Sequence, residues 1–162
     1  MRLLLDEGVP KPLLAGLHRV LPGHDIVHLE DLRWKGKKDL HLLVDAAGRG
    51  FDAILTNDSK QLENIEECRA IRDSGLHHVR YRQRTGSGED GGRTGLALAM
   101  AAVLAAIRHV VGELEQADGQ RLVLIAELRN ERRHEATDPK SDPPPYWPTR
   151  PTGRRRGPRR DR

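Results

Sequence analysis

Two aspartates follow short apolar runs, Leu3-Leu4-Leu5-Asp6-Glu7 and Ala53-Ile54-Leu55-Thr56-Asn57-Asp58. An apolar run of about four residues bounded by turn signals reads as a strand buried on both faces, the kind found in parallel sheets covered by helices. In open α/β sheets, ligands bind beyond the carboxyl ends of the strands. Asp6 and Asp58 then share one sheet edge, where like charges repel unless a cation or a shared proton neutralises them. Asp39 opens a predicted helix, whose N-terminus faces the same edge in a βαβ unit, so three carboxylates can meet in one coordination sphere. Mg²⁺ is the fitting ion, because it takes one or two carboxylates and keeps several waters.

Each aspartate also has a purely structural reading. Asp58 begins Asp-Ser-Lys-Gln, a capping-box pattern for a helix starting at Ser59. Asp39 is favoured by the dipole at a helix start, and Asp6 suits a turn before Val9-Pro10. Glu7, Asp31 and Asn57 are outer candidates: Glu7 as a neighbour of Asp6, Asp31 in the connection after the second strand, and Asn57 (or Thr56) as a hydrogen-bonding partner of a metal water. Arg33, Lys35, Lys37 and Lys38 surround Trp34, a basic stretch with one aromatic that can grip phosphates and stack on a base, or be a solvated loop. Lys60 stands two residues after Asp58 and is a further candidate RNA contact.

The eight histidines offer no competing site. His24 and His28 lie four apart in a predicted strand and His77-His78 point to opposite faces, so neither makes a helical two-histidine ligand pair. Cys68 is the only cysteine, which excludes an intrachain disulfide and a thiolate zinc site. No phosphate-binding loop, dinucleotide fingerprint or Gly-x-Ser-x-Gly motif occurs.

The elements that must position the acids alternate. Strands are predicted at Leu3 to Leu5, Asp25 to Leu29, Asp52 to Thr56, Gly75 to Arg80 and Leu122 to Ala126; helices at Pro10 to Leu21, Asp39 to Ala47, Ser59 to Ser74 and Thr94 to Leu114. This alternation predicts an α/β three-layer sandwich with a mainly parallel sheet of about five strands. The last helix carries Leu96, Met100, Val103, Leu104, Ile107, Val111 and Leu114 on one stripe, either covering the sheet or forming a homodimer surface. Residues 83–93 are Gly-rich and read as a mobile loop. The domain is expected to span residues 1–130, followed by a disordered Pro/Arg-rich tail, 131–162. The net charge of +4 combines +6 in residues 143–162, seven arginines against Asp161, with −2 in the rest. That tail reads either as a grip on nucleic-acid phosphates or as a solubilising end. No stretch reaches the ~20 apolar residues of a membrane span, the apolar N-terminal run stops at Asp6, and a soluble cytoplasmic protein is expected.

The Leu-Leu-Asp-Glu turn, the Gly23-His24-Asp25-Ile26-Val27-His28 segment after the first helix and the Leu-Thr-Asn-Asp strand end together resemble PIN-like domain proteins, most of all the short group associated with VapC-type toxin ribonucleases. The resemblance covers about residues 2–80. It implies a PIN-like fold and a Mg²⁺- or Mn²⁺-dependent endoribonuclease, a hydrolase of RNA phosphodiesters and the toxin half of a toxin–antitoxin pair, with RNA and an antitoxin protein as partners. Asp6, Asp39 and Asp58 match that family's acids. The group often has a further aspartate and an aromatic after Asp58, where this chain has Lys60 and Gln61. That departure motivates an alternative, a non-catalytic PIN-like RNA- or protein-binding module. A phosphoacceptor domain is a third possibility, opposed by Ser-Lys-Gln after Asp58.

Overall fold

The computed structural model describes residues 1–58, 60–83 and 88–128, without the side chains of Asp39 and residues 88–90. Strands β1 (Arg2–Leu5), β2 (Asp25–His28), β3 (Ala53–Thr56), β4 (His77–Tyr81) and β5 (Leu122–Ile125) form a sheet in the order β2-β1-β3-β4-β5. Every pairing is parallel. Helices α1 (Lys11–Val20), α2 (Asp39–Gly48), α3 (Ile65–Ser74) and α4 (Gly88–Glu115) make the outer layers. The expected tail, 131–162, lies outside the described residues.

Strand parity divides the core in two. Leu3, Leu5, Ala53, Leu55, Val79 and Tyr81 face a cluster completed by Leu13 and Leu17 of α1 and by Ala102, Val103, Ile107 and Val111 of α4. Leu4 and Ile54 face the other way, against Leu42, Leu43 and Ala46 of α2 and Ile71 of α3. Because alternate residues point to opposite faces, a strand covered on both sides must be apolar throughout, as the runs at β1 and β3 are. The stripe of α4 is therefore core. By length and composition that helix is also apolar enough to cross a membrane, over Gly91–Glu115 with a mean hydropathy of 1.8. This corrects the expectation that no segment reaches that length, because the helix carries the alanine-rich stretch on past Val110 and Val111.

Two boundaries differ from expectation. The helix predicted from Ser59 begins at Ile65, after a short 3₁₀ helix at Lys60–Leu62. Its cap is Asn64, whose side chain accepts from the Glu66 N–H at 2.9 Å and donates to Glu67 at 3.0 Å. The expected loop over 83–93 is helical from Gly88, since α4 takes in Gly91 and Gly92 despite the cost of about 1 kcal/mol per helical glycine. The remainder of that loop, 84–87, is not described.

The chain visits β1, β2 and then β3 on the far side of β1, so the direction of winding reverses between β1 and β3. Such a reversal opens a crevice at the carboxyl ends of the two strands. Asp6 follows β1 and Asp58 follows β3, one on each lip. Leu55→Ala, at a site with 0% exposure, is expected to cost about 2–5 kcal/mol in urea unfolding, while Val44→Ala, at 64% exposure, should change stability by no more than about 0.5 kcal/mol. Equal costs would mean the two-layer core is wrongly assigned.

Candidate active site

Asp6 continues the sheet for one residue, its N–H donating to the Leu55 carbonyl at 3.0 Å. The side chain is only 8% exposed. One oxygen, Oδ1, accepts from the Glu7 N–H at 2.7 Å. The other, Oδ2, accepts from the fully buried Thr56 hydroxyl at 2.6 Å. That hydroxyl in turn accepts from the Asp58 N–H at 3.0 Å. The Asp58 N–H occupies a lone pair of the hydroxyl, so its single proton is committed to Asp6. Asp58 Oδ1 accepts from the Lys60 N–H at 2.8 Å and caps the 3₁₀ turn, not α3. The capping and the candidate ligand roles of Asp58 thus coexist, because a carboxylate offers four acceptor positions.

A cleft of about 510 Å³ lies over these groups, lined among others by Asp6, Glu7, Asn57, Asp58, Lys60 and Gln61. Asn57 donates to the Gly8 carbonyl at 2.9 Å and to Gln83 at 3.4 Å, joining the β1 and β3 lips. A Cβ on Gly8 would collide with the Asn57 amide. Glu7 accepts from the Gly36 N–H at 3.0 Å, tying the loop before α2 to the cleft. Lys37 also lines the cleft, paired with Asp45 and 4.5 Å from the Trp34 ring. Lys60 is exposed on the rim.

Other sequence candidates are placed elsewhere. Asp39 is the first residue of α2, which runs back from the carboxyl edge of the sheet, so its backbone stands on the side of Asp6 and Asp58; its side chain is not described. Asp31 pairs with Lys11 at 3.0 Å and is not among the cleft residues. Lys35 lies 3.6 Å from Glu30, Arg33 sits exposed at φ 59°, and the Lys38 carbonyl accepts from the α2 first turn. Trp34 is a correction. It is only 8% exposed and packs with Leu29, Leu42 and Phe51, under Lys37 and Arg49, each 4.5 Å from its ring. The Lys37 ammonium and the Arg49 guanidinium lie over the indole as cation–π partners, so the ring is already occupied and has little surface left for a base.

Three residues absent from the sequence-derived site shape it. Gln61, buried beneath the cleft, lies 3.1 Å from His78 Nε2. His78 is held below its ordinary value by burial first and by Arg80 second, against the opposing charge of Asp6. Tyr81, beneath the sheet, is pushed up to about 12 by burial and then by Asp6, so it stays neutral. Strand parity would have found His78 and Tyr81 as inward-facing; Gln61 carries no local signal. His28 is likewise structural: its Nδ1 accepts from the Glu30 N–H at 3.2 Å, which leaves Nε2 to donate to the Val9 carbonyl at 2.9 Å.

Among the described residues no three His, Cys, Asp or Glu side chains are grouped to cage an ion. The donor chemistry still fits a hard divalent cation. Asp6 is a largely buried carboxylate with two hydrogen bonds and, among the described residues, no basic group within 4.0 Å. Burying such a charge is costly without compensation, and two carboxylates plus water suit Mg²⁺ better than a closed protein cage.

The PIN like domain family profile matches residues 1–83, half of the chain, and the protein belongs to that family. The matched segment runs from β1 to the Gln83 contact with Asn57, and so contains both lips of the cleft. The fold is one associated with nucleases; the match is to the family as a whole and does not single out the toxin ribonuclease group. No curated protein and no solved structure gives a significant match.

Burial also holds His77 below its ordinary value. The unfolded chain therefore binds more protons than the folded one as the pH drops below the ordinary value of 6.5. Their contribution is fully present above that value and is lost as the pH falls through the folded values. Urea midpoints should decline on acidification, and His78→Gln should flatten the decline; an unchanged slope would remove His78 from the account.

Proposed function

We propose that the protein is a Mg²⁺- or Mn²⁺-dependent endoribonuclease that hydrolyses RNA phosphodiesters in the cleft between β1 and β3. The observation that carries this reading is the shared Thr56 hydroxyl, which fixes the Asp6 carboxylate and the Asp58 backbone at the crevice where the winding reverses. Asp6 and Asp58 would hold the ion, with Asp39 as a third acid on the same edge. The chemistry a divalent ion supplies in such a site is activation of a water and stabilisation of charge on the phosphorane. Asp6 contributes an oriented oxygen, since both of its hydrogen bonds come from groups fixed by the sheet. Asn57 holds the two lips together, and Lys60 supplies a positive charge on the rim for a phosphate. The toxin reading, with an antitoxin protein covering the cleft, rests on the family resemblance of the same acids.

A second reading draws on Lys60. It stands exposed on the rim where the resembling group often carries an acid, which makes the protein a non-catalytic module gripping RNA through Lys60 and the arginine-rich tail. The two readings separate in one assay, in which a mixed RNA pool is incubated with purified full-length protein while Mg²⁺ or Mn²⁺ is titrated. The nuclease reading expects metal-dependent cleavage, abolished by Asp58→Asn and by Asp6→Asn. Thr56→Val, which removes an outer-shell hydroxyl, should lower it by about 10–100-fold. RNA binding without metal and without cleavage, unchanged in Asp6→Asn and lost on deleting residues 143–162, would establish the binding module instead.

A further inference from the structure

The two edges of the sheet are finished differently. β2 exposes no large apolar side chain, whereas β5 exposes Leu122 at 63% and Leu124 at 45%. Both leucines lie on the face that α2 and α3 cover over β1 and β3 but leave open at β5; Ile125 and Val123 lie on the opposite face, in the α4 cluster. The strand Leu122-Val123-Leu124-Ile125-Ala126 contains no charge and no proline, the devices that usually blunt an edge against pairing.

The backbone of β5 alternates as well. The Arg121 carbonyl accepts from the His78 N–H at 2.9 Å, and His78 stands in register with Leu122. In a parallel ladder this turns the backbone groups of Arg121, Val123 and Ile125 towards β4, and those of Leu122, Leu124 and Ala126 outward. The outward groups are thus spaced symmetrically about Leu124.

We propose that β5 pairs antiparallel with β5 of a second copy, about a twofold axis at Leu124, to give one continuous sheet. In this register Leu124 meets its own symmetry mate, Leu122 meets Ala126, and every outward N–H and C=O of the strand finds a partner. The exposed leucines become buried on one face. Arg121, which is exposed and whose side chain donates to the Gly119 and Gln120 carbonyls and makes no ion pair among the described residues, comes opposite Glu127 of the second copy at both ends. A strand that reads Arg, apolar run, Glu is complementary to itself when reversed, and an isologous interface requires that property. A second copy is therefore favoured over an unrelated strand. The surface does not depend on the chemistry of the cleft.

The test is thiol cross-linking together with sedimentation, on the full chain with Cys68→Ser. Leu124→Cys brings two sulfurs to the axis, where hydrogen-bonded antiparallel partners have Cα atoms about 5.5 Å apart, a gap that a short bis-methanethiosulfonate reagent bridges. It should cross-link into a dimer with that reagent. Leu122→Cys should not, because its symmetry mate lies four residues along, about 14 Å away. The parent should sediment as a dimer, Leu124→Lys as a folded monomer, and Arg121→Glu as a monomer restored to a dimer by Glu127→Arg. A parent that is monomeric at all concentrations, an uncrosslinked Leu124→Cys, or a Leu122→Cys that cross-links instead would each overturn the pairing.

Discussion

A single hydroxyl sets the geometry of the cleft. Thr56 has one proton to give and two lone pairs, and the structure uses the proton on Asp6 and a lone pair on the Asp58 N–H. Hydrogen bonds to a charged group contribute about 1.5–3 kcal/mol, and here the burial of the hydroxyl keeps water from competing. Valine has the same shape as threonine but could make neither bond. The two acids are thereby linked through one atom although they are separated by half a sheet in sequence. Any shift of β3 against β1 would uncouple them.

That register is held by the two-sided core. Leu5 and Leu55 face α1 and α4 while Leu4 and Ile54 face α2 and α3, so sliding either strand by one residue would exchange its two faces. The reversal of winding between β1 and β3 then opens the crevice at the carboxyl ends of these two strands, and the polar residues follow at once: Asp6 and Glu7 after one strand, Asn57 and Asp58 after the other. Packing thus determines where the acids are, and hydrogen bonding determines how they are turned.

Much of this was legible in the residues. Short apolar runs ending in an acid mark strands buried on both faces, and β1 and β3 were found within a residue of their ends. What misled was local pattern overruled by context. Asp-Ser-Lys-Gln looks like the cap of a long helix, but the turn it caps is 3₁₀ and Asn64 restarts the helix. Trp34 among lysines looks solvated, yet its ring joins the apolar cluster and holds the Lys37 and Arg49 charges over it. Gly91 and Gly92 argue against helix, and the burial of the α4 stripe outweighs them. The tie of Glu7 to Gly36 and the seat of Gln61 on His78 join residues far apart in sequence, and no window of neighbouring residues records them.

The stretch that carries the family match ends at Gln83, before α4 begins. On a ribosome this portion emerges first, with one side of the sheet formed by Leu3, Leu5, Leu55, Val79 and Tyr81 and no α4 to lie against it. A chain halted there would leave that apolar plane covered by α1 alone. Completion of the two-sided core therefore waits for α4: β1 and β3, which carry the acids at their ends, gain their full cover on this face only when the helix beyond the matched segment packs against them.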